Sequence, residues 1–364
     1  MTTDVSLLEM KAITKRFPGV LALDQVDFSV LPGEVHALVG ENGAGKSTLM
    51  KILGGAYRAD SGEIYLNGEK VEIHNPRDGI RAGLNVVYQE LVLAPHLTVA
   101  ENILMGQQPM RNAALVDLKK TRDRAKEVLE QLGVDLDIGR TVRNLTVAQQ
   151  QLVEIARALQ RQSRILVLDE PSAVLGKHDI ELLYQVIRRL TSRGIAVVYI
   201  SHRLEEIFLI ADRVTVLKDG KVVGTRPTSE LDEHTLVQMM IGRDLGNVFT
   251  RNSREMGEEV LRVEGLGRDR VFEDISFSLR AGEILGMAGL VGSGRTEVVR
   301  VIAGADQPDR GQILVNGKRV RFHSPGKALS YGIGLLPEDR NLEGLFLKRP
   351  LFENVTISSL DQFQ

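Results

Sequence analysis

No cysteine occurs among the 364 residues, so the chain has neither a disulfide framework nor a thiolate metal site, a composition that suits the cytoplasm. No apolar run approaches the roughly 18 residues of a membrane span. The opening MTTDVSLLEMK lacks the basic-then-apolar order of a secretory leader. A membrane role is therefore expected only through a partner. A basic excess is absent too: 46 Lys and Arg stand against 48 Asp and Glu, net −2, so no nucleic-acid footprint is present and no nucleic acid is expected as a partner. The length suggests about two domains, each able to bury a core.

What the chain does have is the stretch GENGAGKST, comprising Gly40, Glu41, Asn42, Gly43, Ala44, Gly45, Lys46, Ser47 and Thr48. It fits the phosphate-cradling pattern of Gly, four residues, Gly, Lys and Ser or Thr. The glycines let the backbone curl until several N–H groups point at one spot, and a helix from about Lys46 aims its positive dipole end there. In such a loop Lys46 reaches the β- and γ-phosphates and Ser47 offers its hydroxyl to Mg²⁺. The apolar run Val35–Val39 precedes it as a strand should, and Leu49–Leu53 continues as helix.

From Leu7 to Val30 the pattern alternates as short strands, with turns at Pro18-Gly19 and Pro32-Gly33. Beyond the loop, a strand is expected between Ser61-Gly62 and Asn67-Gly68, and a buried one from Asn85 to Tyr88. The signal turns helical between Leu97 and Leu159, giving a helical subdomain at about 95–160. Core strands at Ile165–Leu168 and Ile195–Ile200 flank an amphipathic helix, Asp179–Arg193. Strands alternating with helices predict an α/β fold with a parallel, doubly covered sheet.

A second segment repeats the first at a constant offset of 249, as in 289 − 40. Gly33-Glu34 recurs at Gly282-Glu283, Gly40 at Gly289, Gly45 at Gly294, Gly62 at Gly311, Asn67-Gly68 at Asn316-Gly317, and Pro76 at Pro325. Two unrelated domains would not keep one register over this distance. The copy reaches Gln364 before its long helices, so a second domain present only in its N-terminal part is expected. The expected organisation is 1–243, a polar linker at 244–258, and 259–364.

LVLDEP, Leu166–Pro171, reads as an apolar strand ending in two carboxylates. Because strand residues alternate faces, Asp169 and Glu170 can divide tasks, Asp169 serving Mg²⁺ and Glu170 polarising a water. NLTVAQQQ leads into a helix, and Ile200-Ser201-His202 closes the next strand.

Taken in order, the phosphate loop, Gln89 after a strand, LTVAQ, LVLDEP and Ile-Ser-His resemble the ATP-binding subunits of ABC transporters. The resemblance implies a P-loop fold of that type, with an antiparallel β subdomain and a helical subdomain, tandemly repeated with the second copy incomplete. It makes Gln89 a glutamine that senses Mg²⁺ and the permease, Leu145–Gln149 the signature (with Thr146, Ala148 and Gln149 facing nucleotide), Asp169 a Mg²⁺ carboxylate, Glu170 the base, Ala173–Gly176 the D-loop and His202 the switch histidine. Phe17 matches the aromatic that stacks on adenine, a core phenylalanine being the other reading. With GLVGSGRTE in the second copy, where Gly289, Gly294, Arg295 and Thr296 form the nucleotide loop, the whole chain is similar to the fused ATPases of bacterial monosaccharide importers. That likeness implies ATP and Mg²⁺ as cofactors and membrane permease subunits as partners. Through the permease it implies an extracytoplasmic sugar-binding protein, and it places the chain peripherally at the cytoplasmic face of the inner membrane. The ATPase domains would pair in cis or with a second chain.

Three positions depart from the family pattern. Ala148 adds a Cβ where a glycine backbone is usual, Arg295 replaces the loop lysine of the second copy, and Gly176 stands where Thr or Asp is usual. Two departures fall on the same composite site, so the intact parts are expected at the other one, built on Lys46, whose facing signature would lie beyond Gln364; the chain is expected to bind Mg-ATP there and turn it over poorly. Two other functions compete with sugar import: a tandem ABC protein working on ribosomes, opposed by the near-zero net charge, and a nucleotide-binding fragment that does not hydrolyse.

Overall fold

The computed structural model describes residues 6–88, 91–112, 115–173, 175–242, 256–290, 292–339 and 343–362. The chain divides into two compact units, Met1–Phe249 and Thr250–Gln364.

The first unit opens with β1 (Leu8–Phe17), β2 (Val20–Val30), β3 (Val35–Val39) and α1 (Lys46–Leu53). Next come β4 (Ser61–Leu66), β5 (Glu69–Val71), α2 (Pro76–Arg81), β6 (Leu84–Val87), α3 (Val99–Ile103), β7 (Met110–Asn112) and β8 (Leu115–Val116). The helices α4 (Leu118–Leu132) and α5 (Val147–Gln160) lead to β9 (Ile165–Asp169), α6 (Lys177–Thr191) and β10 (Ala196–Ile200). The unit closes with α7 (Leu204–Ile210), β11 (Arg213–Lys218), β12 (Lys221–Pro227) and α8 (Glu233–Ile241). One sheet has the order β2-β1-β4-β5 and is antiparallel; the other runs β12-β11-β3-β10-β9-β6 and is parallel except at β12.

Strand periodicity assigns the residues of the parallel sheet to two cores. Val35, Ala37, Val39, Leu166, Leu168, Val197 and Tyr199 pack with the helices α3 to α6. Leu38, Ile165, Val167, Ala196, Val198 and Ile200 face the opposite way, toward α1 and the antiparallel sheet. The ends of β3, β9 and β10 therefore lie where one face looks at the phosphate loop and the other at the helices.

Leu7–Val30 forms one long hairpin rather than several short strands. Ala12 and Gln25 sit at φ 50°, at bulges that shift the β1–β2 register, and these interrupt the alternation that the sequence displays. The stretch expected to be helical also carries the β7–β8 hairpin. Gln89, Val174 of the expected D-loop and 244–255 of the expected 244–258 linker lie outside the described residues.

The second unit contains β13 (Glu259–Arg268), β14 (Phe272–Arg280), α9 (Arg295–Ile302), β15 (Arg310–Val315), β16 (Lys318–Val320), α10 (Pro325–Leu329) and α11 (Leu351–Thr356). Its sheet order, β14-β13-β15-β16, reproduces β2-β1-β4-β5. The left-handed positions recur at the same offset, Asn67 at φ 50° and Asn316 at 49°, Gly55 at 74° and Gly304 at 73°. The counterpart of β3 is not a strand: 284–290 is exposed, Ile284 at 92%. In the first unit β3 is held between β10 and β11, and no counterparts of those strands occur among the described residues. Nor is any described helix long and apolar enough to cross a membrane.

Candidate nucleotide site

The loop after β3 is fixed by contacts that tolerate only glycine. Gly40 lies at φ 153°, and a Cβ there would come within 2.1 Å of the Leu217 carbonyl oxygen; at Gly45, φ 108°, it would come within 2.7 Å of the Ala22 carbonyl oxygen. The Ala44 N–H donates to Glu41 O at 3.1 Å, tightening the turn. Lys46 folds back over the loop, its Nζ donating to Gly40 O at 2.7 Å and Glu41 O at 3.0 Å. Burial pushes the Lys46 ammonium below the usual lysine range, opposed by the Glu170 and Asp169 carboxylates.

A cavity of about 520 Å³ opens over the loop, within the range of ordinary ligand pockets. It is lined by the loop from Asn42 to Thr48, by Asp169 and Glu170, and on the far side by Val20–Ala22 and the Asp219-Gly220 turn. No sequence motif points to this far wall. Asp-Gly between two apolar runs signals a hairpin turn, but nothing local says that it returns to the phosphate loop. It does so through the Gly220 N–H, which donates to Ala44 O at 3.1 Å.

The carboxylates arrive at the end of β9. Asp169 continues the Ile165–Val167 face and so points toward α1. Burial, then the adjacent Glu170 charge, pushes its carboxyl above the usual aspartate range, and Lys46 and Lys51 pull it back. Its side chain makes no hydrogen bond among the described residues, which leaves its oxygens for a ligand. Glu170 adopts φ 49°, its N–H donating to Ile200 O at 2.9 Å, and this left-handed kink turns its carboxylate toward His202. His202 Nδ1 lies 3.3 Å from Glu170 Oε2. The two residues are 32 apart in sequence and meet because β9 and β10 are parallel neighbours ending in register, Ile200 opposite Asp169.

Mg²⁺ fits this donor set. The Ser47 hydroxyl and the Asp169 carboxylate are hard oxygens with free lone pairs, and a cation held by few protein groups takes its remaining ligands from phosphates and water. Among the described residues no cluster of three or more His, Asp or Glu forms a protein-only metal site.

Phe17 is half-buried, edge-on to Tyr57 with ring centroids 5.4 Å apart, on the same hairpin whose Val20–Ala22 segment lines the cavity. At the start of α5 a capping box closes on itself: Thr146 Oγ1 accepts from Gln149 N at 3.2 Å, and Gln149 Oε1 accepts from Thr146 N at 3.1 Å. Ala148 is buried, whereas Val147 before it is 45% exposed. In the second unit Gly294 caps α9 at φ 88°, and Ser293 N donates to Leu290 O at 3.1 Å, the same turn as in the first loop. Gly289, Arg295 and Thr296 lie there without described counterparts of Asp169 and Glu170 beside them.

The family described as ABC transporter matches residues 23–173 and 272–358. "Ribose import ATP-binding protein RbsA 3" of Rubrobacter xylanophilus is 52% identical over 97% of this chain and 71% of its own length. A protein of the same name from Rhizobium meliloti is 50% identical over 97% of this chain and 70% of its own length. Among solved structures, a nucleotide-free ATP-binding cassette from an ABC transporter has a TM-score of 0.57 at 26% identity, covering 65% of this chain and 96% of that one. A cassette in its ADP conformation has a TM-score of 0.57 at 27% identity, covering 65% and 99%.

Proposed function

The chain belongs to the ABC transporter family, and from that premise we propose that it is the ATP-hydrolysing subunit powering monosaccharide import through a membrane permease. One observation supports this most: the phosphate loop, Asp169 and Glu170 line a single cavity, with His202 against Glu170. The sugar class is taken from the ribose import relatives. The ribosome-associated and non-hydrolysing readings find no support among them.

In this reading the N–H groups of the loop and of the first turn of α1 bind the phosphates, and Lys46 exchanges its two carbonyl partners for phosphate oxygens. Ser47 and Asp169 would hold Mg²⁺, which would supply positive charge to offset that of the phosphates. Glu170 orients the attacking water and takes its proton, and His202 holds the Glu170 carboxylate in place at the γ-phosphate end. Gln89, after β6, would report this state to the permease. Thr146, with the free N–H groups behind Val147 and Ala148, would close a nucleotide site of the paired ATPase domain, and Phe17 would meet the adenine. The subunit would work from the cytoplasmic face of the inner membrane, its permease receiving sugar from an extracytoplasmic binding protein.

Glu170→Gln keeps the volume and the Mg²⁺ shell and removes the base. The variant is expected to bind Mg-ATP as the parent does while its turnover falls by two orders of magnitude or more, on the order of a lost general base. Undiminished hydrolysis in this variant would overturn the assignment.

A further inference from the structure

The face of β10 turned away from the phosphate loop ends in a buried polar cluster to which the steps above give no task. Tyr199 and Ser201 share this face with Val197, by alternation. Glu206 on α7 is 4% exposed, and its Oε2 accepts three hydroxyls: Ser172 at 2.6 Å, Tyr199 at 2.9 Å and Ser201 at 3.0 Å. Ser201 Oγ in turn accepts the Arg203 N–H at 3.0 Å, and Arg203 Nη1 lies 3.4 Å from Glu206 Oε1. Burial and the Glu206 charge push the Tyr199 hydroxyl far above the usual tyrosine range, so it remains a donor.

The identity of the bound hydroxyls gives the cluster its meaning. Ser172 is the second residue after Glu170, and Ser201 immediately precedes His202. A single carboxylate oxygen thus ties together the two segments that deliver the base and the histidine. Glu170 itself holds a left-handed backbone, which a non-glycine residue keeps only where its surroundings impose it. Apolar packing would fill the same space without the cost of desolvating a carboxylate.

We propose that Glu206 is a positioning residue for ATP hydrolysis: by gathering Ser172 and Ser201 onto one oxygen it sets the geometry in which Glu170 and His202 face the water. The inference rests on the ATPase reading above. Glu206 does not line the cavity over the phosphate loop, so its signature lies in turnover rather than in binding.

The test uses the full chain, with Mg-ATP affinity, kcat, KM and thermal unfolding measured for each variant. Glu206→Gln keeps the volume and one acceptor but places an amide among three hydroxyl donors. Its kcat is expected to fall about tenfold to a hundredfold, the scale of a misplaced catalytic group, with nucleotide affinity unchanged. In a Glu170→Gln background the same substitution is expected to cost nothing more, because no base remains to be positioned. Should Glu206→Gln fail to fold, Ser172→Ala and Ser201→Ala each remove one donor without stranding a charge, and each is expected to lower kcat with affinity intact. Parental turnover in all these variants would overturn the positioning role while leaving the ATPase reading in place. So would a Glu206→Gln loss that recurs in full without Glu170. A parent chain that binds Mg-ATP and never hydrolyses it would overturn both.

Discussion

Asp169 shows how the nucleotide site works against the stability of the ligand-free protein. Its carboxyl is held above its ordinary range by burial and by Glu170, so keeping it ionised at neutral pH costs folding free energy. A raised folded pKa contributes stability below the unfolded value of 3.8 and loses it as pH rises through the folded value. Asp169→Asn is therefore expected to raise the melting temperature of the nucleotide-free protein at pH 7, with the gain vanishing toward pH 4, while Mg²⁺-dependent nucleotide binding is lost. Melting curves across pH, with and without Mg-ATP, check both halves. At this scale much was legible in the sequence: Gly40, Gly45, Lys46, Asp169, Glu170 and His202 belong to short motifs whose chemistry is written in adjacent letters. Glu206 was not, because nothing local distinguishes it from Glu205; only the fold brings the hydroxyls of Ser172, Tyr199 and Ser201 to one of its oxygens.

Among the elements, the segment after β6 changes its meaning once its side chains are placed. As a stretch of sequence, Glu90–Asn102 is apolar and too short to span a membrane, which suggests a docking surface for a permease. In the fold Leu93 packs against the helical core, and Asn102, fully buried, binds the Ala94 and Thr98 backbone. Val92 differs. Its backbone is clamped by the Glu154–Arg157 pair while its side chain is 66% exposed at a cleft of about 300 Å³. Val92→Glu is expected to weaken permease association in membrane co-purification and to spare ATP binding. Leu93→Glu is expected to lower stability, by about 1–3 kcal/mol for a polar group forced among apolar neighbours, read from urea unfolding. Helices α4 and α5 were legible as the helical signal between Leu97 and Leu159. Of the β1–β2 hairpin, the strands and the Pro18-Gly19 turn were legible, but the bulges at Ala12 and Gln25 were not, since they break the two-residue period on which strand reading depends.

For the whole molecule, the repeat predicts an unequal pair of loops. The second copy keeps the turn and the left-handed glycines of the first but puts Arg295 where Lys46 stands, and a planar guanidinium is not an equivalent phosphate ligand. Lys46→Ala is expected to weaken ATP binding by about 1.5–3 kcal/mol, the value of hydrogen bonds to a charged group, and Arg295→Ala far less. Nucleotide titration of the two variants decides it, equal losses counting against the asymmetry. The register of the repeat was legible because glycines with obligatory conformations recur at one spacing. The missing strand at 284–288 was not, because a strand's existence depends on neighbours that its own letters do not specify.

The two cores on either side of the parallel sheet carry a further consequence. Strands β3, β9 and β10 contribute side chains to both, whereas α3, α4 and α5 adhere to one face alone. The first unit is in effect a laminate, and its layers need not loosen together. Amide hydrogens of the three shared strands are protected from both sides and will be the last to exchange with solvent. The layer of α3, α4 and α5, with Val92 and Thr146 beside it, is expected to exchange earlier than the layer that carries the phosphate loop.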